Sequence, residues 1–268
     1  MKVAAIQMVS GTAVSRNLQA AGRLLEQAAA AGAELAVLPE YFCIMGQKDT
    51  DKLAAAESPG AGPIQDFLAD AASRFKLWIV GGTLPLASKD PARVRNACMA
   101  WSPAGACVAR YDKIHLFRFD DGSRQYDETR SIEPGDEPQT FVLAARDGAS
   151  YTVGLSVCYD LRFPELYRTL AADLLVVPSA FTYPTGQAHW DILLRARAIE
   201  NLACVVAPAQ GGLHENGRRT WGHSMVIDAW GCVLAQRAEG EGVVLAELNA
   251  ARQTALRSQL PALAHRVL

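Results

Sequence analysis

Short apolar runs, many of them rich in β-branched residues, recur along the whole chain and are separated by polar segments or by glycine and proline. Runs of this kind predict buried strands. Two pairs of runs flank short turn sequences, at residues 102–105 and 229–231, and each pair predicts a β-hairpin. The predicted strands cover residues 3–8, 35–38, 77–82, 94–101, 106–111, 141–143, 151–157, 174–177, 203–209, 225–228, 232–236 and 243–248.

Segments with apolar residues at helical spacing lie between these runs and predict amphipathic helices. Proline is favoured in the first turn of a helix, so Pro63 and Pro164 indicate two helix starts. The other predicted helices cover residues 17–31, 187–201 and 249–259. Strands that alternate with helices and are mixed with hairpins predict an α/β fold, in which mixed sheets are covered by outer helical layers.

No segment has the composition of an interdomain linker, so we expect a single domain over residues 1–268. Residues 113–138 form a long connection that is polar and poor in periodicity. Connections of this length in compact domains are usually functional or disordered. The paired Gly81 and Gly82 predict a close approach of two backbone segments.

Composition and charge exclude several classes of function. Half of the 268 residues are hydrophobic and a fifth are charged, which is typical of a soluble globular protein. The formal net charge of −2 argues against nucleic-acid and membrane-surface partners, and Arg218-Arg219 is too short for a basic patch. No apolar run approaches the roughly 18 residues of a membrane span, and the amino terminus has no signal-peptide pattern.

The six cysteines are dispersed, and most lie inside apolar runs without any C-x-x-C pair. This pattern favours reduced thiols in a cytoplasmic protein over disulfides or a zinc site. We expect no metal and no cofactor. All cysteines except Cys158 are expected to pack in the core. The six are Cys43, Cys98, Cys107, Cys158, Cys204 and Cys232.

Cys158 ends an apolar run, and polar residues and then Pro164 follow it at once. A thiol at a strand-to-helix turn is a candidate nucleophile, because backbone N–H groups of the next turn can face a developing oxyanion. A cysteine at a strand end is also common in cores, so the position alone leaves both interpretations open. Arg162, in the same turn, is a candidate ligand for a substrate carboxylate.

Glu40 and Lys113 also follow directly on strand-like runs. A carboxylate at the end of a buried strand is partly desolvated, which raises its pKa and makes it a usable base. A lysine beside it would stabilise an oxyanion and lower the pKa of a thiol. Each residue alone fits a solvated surface charge better than a catalytic role, as does Glu128 in the long connection. His189, near a predicted helix start, fits a structural or substrate-lining residue better than a Cys–His pair.

The order of these residues along the chain, and the sequence around each, resembles the nitrilase superfamily of carbon–nitrogen hydrolases. The resemblance extends over nearly the whole chain. The matching segments are Leu38-Pro39-Glu40, residues 111–116 (YDKIHL), residues 158–165 (CYDLRFPE), residues 189–190, residues 195–201 and residues 221–224.

This resemblance implies a four-layer α-β-β-α sandwich, a homodimer and a catalytic triad of Glu40, Lys113 and Cys158. Glu128 matches an additional active-site glutamate of the family. The implied chemistry is amide hydrolysis through a cysteine thioester, in which Lys113 and the backbone N–H of Tyr159 stabilise the oxyanion.

Within the superfamily, the chain resembles the Nit branch most. Two activities are implied, the hydrolysis of deaminated glutathione and the omega-amidase reaction on 2-oxoglutaramate. Residues 162–166 and 209–214 resemble the deaminated glutathione branch more. Residues 117–125 are not shared by all members and are expected to border the pocket. The choice between the two substrates therefore stays undecided.

Both substrates carry a carboxylate beside a ketone, and Arg162 is the candidate for binding it. The other candidate substrate-binding residues are Tyr41, Tyr159, Phe181 and His189. N-carbamoyl amino acids are a third possible substrate class. A non-catalytic interaction protein on an inherited fold is the alternative of a different class, and the intact set of three cooperating polar residues argues against it.

Overall fold

The structure is a computed structural model and describes residues 1–120, 122 and 125–267. The strands are β1 (Lys2–Gln7), β2 (Leu35–Val37), β3 (Trp78–Val80), β4 (Leu84–Ala87), β5 (Val94–Trp101), β6 (Cys107–Asp112), β7 (Arg118–Asp120), β8 (Gln125–Asp127), β9 (Thr140–Ala144), β10 (Ser150–Leu155), β11 (Leu174–Val176), β12 (Cys204–Ala207), β13 (Gly211–Leu213), β14 (Arg219–Trp221), β15 (Ser224–Ile227), β16 (Val233–Arg237) and β17 (Gly242–Glu247). The α-helices are α1 (Val14–Ala30), α2 (Asp51–Ala54), α3 (Pro63–Phe75), α4 (Pro164–Leu170), α5 (Tyr183–Asn201) and α6 (Ala250–Gln259). Two short 3₁₀ helices cover Glu128–Arg130 and Cys158–Arg162.

Two mixed sheets form the centre of the fold. The first has the order β17-β1-β2-β3-β5-β4, with β6 also paired to β5, and β1, β2 and β3 run parallel. The second has the order β16-β15-β12-β11-β10-β9, with β10, β11 and β12 parallel. Parallel strands bring their carboxyl ends to one edge of a sheet, and ligands commonly bind at that edge.

Alternating side chains of β1 divide the apolar core into two layers. Ala4 and Ile6 pack with residues of α1 and α3 such as Leu25 and Leu68. Val3 and Ala5 belong instead to the large cluster that contains β10–β12 and extends to α4 and α5. The layers therefore run α1/α3, first sheet, second sheet, α4/α5, which confirms the predicted α-β-β-α sandwich.

Gly82 has the close backbone contact that the paired glycines predict. Its φ is +54°, and a Cβ at this position would collide with the carbonyl oxygen of Pro39. Only glycine satisfies both conditions, because L side chains rarely adopt such a φ and no space exists for a methyl group. The segment that follows β3 is thereby packed against the segment that presents Glu40.

The cysteine prediction is wrong for two residues. All six cysteines are free thiols, but Cys107 and Cys232 are exposed, whereas Cys43, Cys98, Cys158 and Cys204 are buried. Cys107 begins β6, whose first residues face solvent, and Cys232 follows the turn before β16 at the edge of the second sheet. An apolar strand at the edge of a sheet has one face open to water.

Several elements differ from the sequence expectation. The long connection contains the β7–β8 hairpin, and β4, β13, β14 and α2 were not anticipated. Helix α5 begins at Tyr183, with a proline in its first turn, rather than at residue 187. Within the described ranges, none of the helices is long and apolar enough to cross a bilayer.

Candidate active site

Glu40, Glu128 and Cys158 line one cavity of about 360 Å³, and the Lys113 side chain lies behind its wall. Each comes from a segment that follows a strand: β2 for Glu40, β6 for Lys113, β8 for Glu128 and β10 for Cys158. Glu40 and Lys113 belong to the first sheet and Cys158 to the second, so the cavity lies where the strand ends of the two sheets meet.

Glu40 is only 1 % exposed, and three donors fix its carboxylate. Oε1 accepts hydrogen bonds from Lys113 Nζ at 2.9 Å and from Asn96 Nδ2 at 3.0 Å. Oε2 accepts one from the backbone N–H of Ala180 at 3.0 Å. A buried carboxylate needs such partners to remain ionised. The carboxylate is thus held in place with its charge balanced by Lys113.

Lys113 is fully buried and bridges two carboxylates. Its Nζ lies 2.9 Å from Glu40 Oε1 and 2.8 Å from Glu128 Oε2. Burial acts to lower the pKa of Lys113, but the charges of Glu128 and Glu40 outweigh it and raise that pKa above its ordinary value. Lys113 is therefore a permanent cation at the bottom of the site.

Glu128 lies on the first 3₁₀ helix and accepts hydrogen bonds from several groups besides Lys113. Tyr41 Oη donates to Oε1 at 2.7 Å, and the backbone N–H of Phe117 donates to Oε2 at 2.7 Å. Burial acts to raise the pKa of Glu128, but Lys113 and these donors lower it overall. Burial and the adjacent carboxylate raise the pKa of Tyr41, so its hydroxyl stays a donor.

Cys158 lies at the sharp turn between β10 and α4, with a φ of +49°. This left-handed conformation is unfavourable for a non-glycine residue and is common at functional turns. Burial is the main cause that raises the pKa of its thiol well above the ordinary range. The charge of Glu40 raises it further and that of Lys113 opposes the shift. The thiol is therefore neutral at rest.

Asp160 supports the turn that carries Cys158. This carboxylate is completely buried and accepts hydrogen bonds from Val157 N–H at 2.7 Å and Tyr111 Oη at 2.8 Å. His115 contacts it through the backbone N–H at 3.2 Å and through Nδ1 at 2.7 Å. The His115 ring stacks on Phe163, with centroids 3.7 Å apart. The YDKIHL and CYDLRFPE segments thus pack directly against each other.

Four of the five candidate substrate-binding residues line the cavity. The Arg162 guanidinium lies 5.8 Å from the Tyr159 ring centroid and 5.7 Å from that of Phe181. Tyr41, Tyr159, Arg162 and Phe181 all line the cavity. His189 is not among the lining residues, and its Nδ1 lies 3.3 Å from Arg162 Nη2. His189 is thus placed to hold Arg162 rather than to contact a substrate.

Several cavity residues have no signal in the sequence that would identify them. They lie far from Cys158 along the chain, and only the tertiary fold brings them to it. Arg218 is one of them, because neither the net charge nor the short Arg218-Arg219 pair indicates a role for it in a site. The residues missed are Ala180, Thr182, Thr185 and Arg218, which line the cavity, and Asn96, which donates a hydrogen bond to Glu40.

The prediction that residues 117–125 border the pocket holds for Phe117, which lines the cavity. Phe117 also packs edge-on against Tyr159, with ring centroids 5.2 Å apart. Asp121, Ser123 and Arg124 of this segment lie outside the described residues.

A neutral thiol, a fixed carboxylate and a buried ammonium around one cavity suit nucleophilic attack on a carbonyl carbon. The carboxylate can take the thiol proton, and the ammonium can stabilise negative charge on oxygen. The fold and this arrangement are suited to a hydrolase that acts on a carbonyl group.

The comparisons with known proteins agree with this class. The family model for carbon–nitrogen hydrolases matches residues 2–258. The deaminated glutathione amidase of Synechocystis sp. is 42% identical over 270 residues, covering 98% of this chain and 97% of the relative. An omega-amidase of Homo sapiens is 33% identical and covers 97% of this chain and 92% of the relative.

Solved structures share the fold. The crystal structure of the Caenorhabditis elegans NitFhit protein superposes with a TM-score of 0.90 at 36% identity, and covers 99% of this chain and 64% of that one. The chain therefore belongs to the carbon–nitrogen hydrolase family.

Proposed function

We propose that this protein is an amidase that hydrolyses deaminated glutathione, with Glu40, Lys113 and Cys158 as its catalytic residues. The observation that carries the proposal is that the Arg162 guanidinium lines the same cavity as the Cys158 thiol, and His189 is its only polar side-chain partner within the described ranges. An unpaired guanidinium beside a nucleophile is suited to bind a carboxylate of the substrate.

In the proposed first half-reaction, Glu40 takes the proton of Cys158 as the sulfur attacks the amide carbonyl carbon. The carbonyl π electrons move to oxygen, and Lys113 and the backbone N–H of Tyr159 stabilise that oxyanion. Each such donor typically contributes a few kcal/mol. Among the described residues, no acceptor is seen for the Tyr159 N–H. When the intermediate collapses, the C–N bond breaks and Glu40 gives its proton to the leaving amine.

In the second half-reaction, Glu40 takes a proton from water as the water oxygen attacks the thioester carbonyl. The C–S bond then breaks, and the proton returns from Glu40 to the sulfur of Cys158. One carboxylic acid and one amine are released, and the enzyme is restored. Glu128 keeps Lys113 oriented through the cycle, because its two oxygens both contact Nζ.

The relatives support a 2-oxo acid amide as the substrate. The Synechocystis relative, at 42% identity, is named a deaminated glutathione amidase, whereas the human omega-amidase is 33% identical. Arg162 would bind the carboxylate beside the ketone. Tyr41, Tyr159 and Phe181 would enclose the acyl chain, and His189 would hold Arg162.

We also propose a homodimer of single-domain subunits in the cytoplasm. The free cysteines are consistent with a reducing compartment. Exposed apolar residues on α5 and on the β15–β16 turn support self-association.

The test is a steady-state kinetic comparison of deaminated glutathione, 2-oxoglutaramate, an N-carbamoyl amino acid and a simple nitrile. We expect the highest kcat/KM for deaminated glutathione and no turnover by Cys158→Ala. A quenched reaction of the wild type should give the mass of a 2-oxoglutaryl adduct on Cys158. Turnover of Cys158→Ala close to that of the wild type would refute the nucleophile, and a preference for another substrate would refute the assignment.

A further inference from the structure

We propose that Arg218 and Lys52 form a second anion site beside the catalytic cavity, and that this site binds the carboxylate of the leaving amine. The inference rests on the proposed function and deepens it. The preferred substrate would carry one carboxylate on the acyl group and another on a peptide-like leaving group.

Arg218 lies at the cavity wall and has no ion-pair partner among the described residues. Its guanidinium lies 5.4 Å from the Tyr126 ring centroid, and it lines the cavity that contains Cys158. In the described part of the chain, no carboxylate lies within ion-pair distance of it. Glu40 and Glu128, the carboxylates of that cavity, both pair with Lys113. The positive charge of Arg218 therefore remains available to a bound anion.

A second cavity of about 280 Å³ adjoins the first, and Tyr41 and Arg218 line both. Lys52 of α2 lines this second cavity, with its Nζ 5.4 Å from the Tyr41 ring centroid and 3.3 Å from Ser131 Oγ. The exposed residues Lys48 and Asp49 also line it, and their charges offset each other. Lys52 and Arg218 thus place two further cations in the wall of the second cavity.

Lys52 is poorly solvated. Burial lowers its pKa, and the nearby charges of Glu128 and Asp49 oppose that shift. A partly desolvated ammonium gains from an anionic partner, because the anion restores the favourable interactions that water supplied. Lys52 has no ion-pair partner among the residues that the structure describes.

Arg162 and Arg218 belong to different parts of the site. Arg162 contacts Tyr159, Phe181 and His189. Arg218 contacts Tyr126 and shares the second cavity with Tyr41 and Lys52. A substrate whose acyl carboxylate lies at Arg162 can extend its leaving group past Tyr41 to Arg218. Deaminated glutathione, which releases cysteinylglycine, has a carboxylate at that end. 2-Oxoglutaramate, which releases ammonia, has none.

The experiment compares Arg218→Gln with the wild type on three substrates: deaminated glutathione, its analogue with a carboxamide in place of the glycine carboxylate, and 2-oxoglutaramate. A charge-assisted hydrogen bond is worth enough to change kcat/KM about tenfold or more. We expect Arg218→Gln to lose about that factor on deaminated glutathione, mainly through KM. We expect less than about a twofold change on the other two substrates.

Arg219→Gln is the matched control. Arg219 is the next residue, but its guanidinium pairs with Glu239 at 2.9 Å and does not line either cavity. It removes the same charge and should leave all three rates unchanged. Lys52→Gln should lower kcat/KM for deaminated glutathione in the same way and leave the other two substrates nearly unchanged.

The outcomes separate the two proposals. If the wild type hydrolyses both 2-oxo acid amides and prefers deaminated glutathione, but Arg218→Gln affects all three substrates equally or none, the second anion site is refuted and the proposed function stands. If the wild type hydrolyses neither amide, both are refuted. A wild type that hydrolyses the carboxamide analogue as fast as deaminated glutathione also refutes the site.

Discussion

At the scale of single residues, the site keeps the Cys158 thiol neutral. Cys158 is buried, and Glu40 adds negative charge close to the sulfur, so the thiolate is disfavoured although Lys113 is near. In the proposed mechanism, the thiol then loses its proton only as the sulfur attacks the substrate. This arrangement limits oxidation of the thiol, because oxidants react with the thiolate.

The raised pKa of Cys158 predicts its alkylation behaviour. A thiol with an ordinary pKa of about 8.5 is half ionised at that pH. Because the pKa of Cys158 is higher, its thiolate fraction is smaller at neutral pH and still increases above pH 8.5. We expect the iodoacetamide rate at Cys158 to rise without a plateau from about pH 6 to pH 9. Peptide mass mapping separates this rate from those of the exposed Cys107 and Cys232.

Glu40→Gln provides the matched variant for this measurement. It removes the negative charge that opposes the thiolate while Lys113 remains, so Cys158 should become alkylated faster at pH 7. A plateau below pH 8 in the wild type, or slower alkylation of Glu40→Gln, would contradict this electrostatic account.

The sequence predicts the triad candidates better than the rest of the cavity, for a physical reason. Glu40, Lys113 and Cys158 each follow a strand, and strand ends are local features that the apolar pattern marks. Arg218 and Asn96 reach the site through tertiary packing between segments far apart in the chain. No periodicity in the sequence reports where such segments meet.

At the scale of elements, the ends of the strands fix the site through close backbone contacts. β3 ends at Val80, and Gly82 then touches the segment that presents Glu40. Tyr41, directly after Glu40, has a φ of +57°, and its N–H donates to Thr83 Oγ1 at 2.9 Å. The connection after β3 therefore determines where the Glu40 carboxylate lies.

Gly82→Ala tests this dependence. The methyl group would meet the Pro39 carbonyl, and the residue would also have to hold a φ of +54°. We expect a loss of unfolding free energy of about 1–3 kcal/mol from overpacking, in addition to the cost of the positive φ. Glu40 should shift with Pro39, so kcat should fall at least about tenfold. Chemical denaturation and steady-state kinetics provide the two measurements.

Gly148→Ala isolates the conformational term. Gly148 has a φ of +85° with no atom within 4 Å of an added Cβ, in the turn between β9 and β10. Gly148→Ala should lower the unfolding free energy by about 1 kcal/mol and leave kcat unchanged. Equal losses of stability and activity in the two variants would show that the contact at Pro39 has no special role.

The elements themselves were predicted unevenly. The two sheets and helices α1, α3, α4 and α6 follow from long apolar patterns and helix-start signals. β7, β8, β13 and β14 have three residues each, and unlike the equally short β2, β3 and β11 they are not apolar runs. Pro184 is a start signal for α5, but the first turn of this helix is polar and shows no apolar periodicity.

At the scale of the whole molecule, the sandwich places the candidate site where the strand ends of its two sheets meet and leaves an apolar surface outside. Ile192 and Ile199, seven residues apart on α5, are 69% and 50% exposed. Trp230, in the β15–β16 turn, is 50% exposed, and its neighbour Gly231 lies directly against Ile199. The three side chains mark one continuous face of the second helical layer.

We expect this face to form the interface of a homodimer. Large apolar side chains that share an exposed face are typical of subunit interfaces, and a two-fold dimer would bury the same residues on both subunits. Size-exclusion chromatography with light scattering should give the mass of a dimer for the wild type and that of a monomer for the double variant Ile192→Asp, Ile199→Asp. Val142→Asp is the control, because Val142 is 64% exposed on β9, at the opposite edge of the second sheet from β16. A monomeric wild type would refute the homodimer itself, whereas a double variant that stays dimeric would place the interface on another surface.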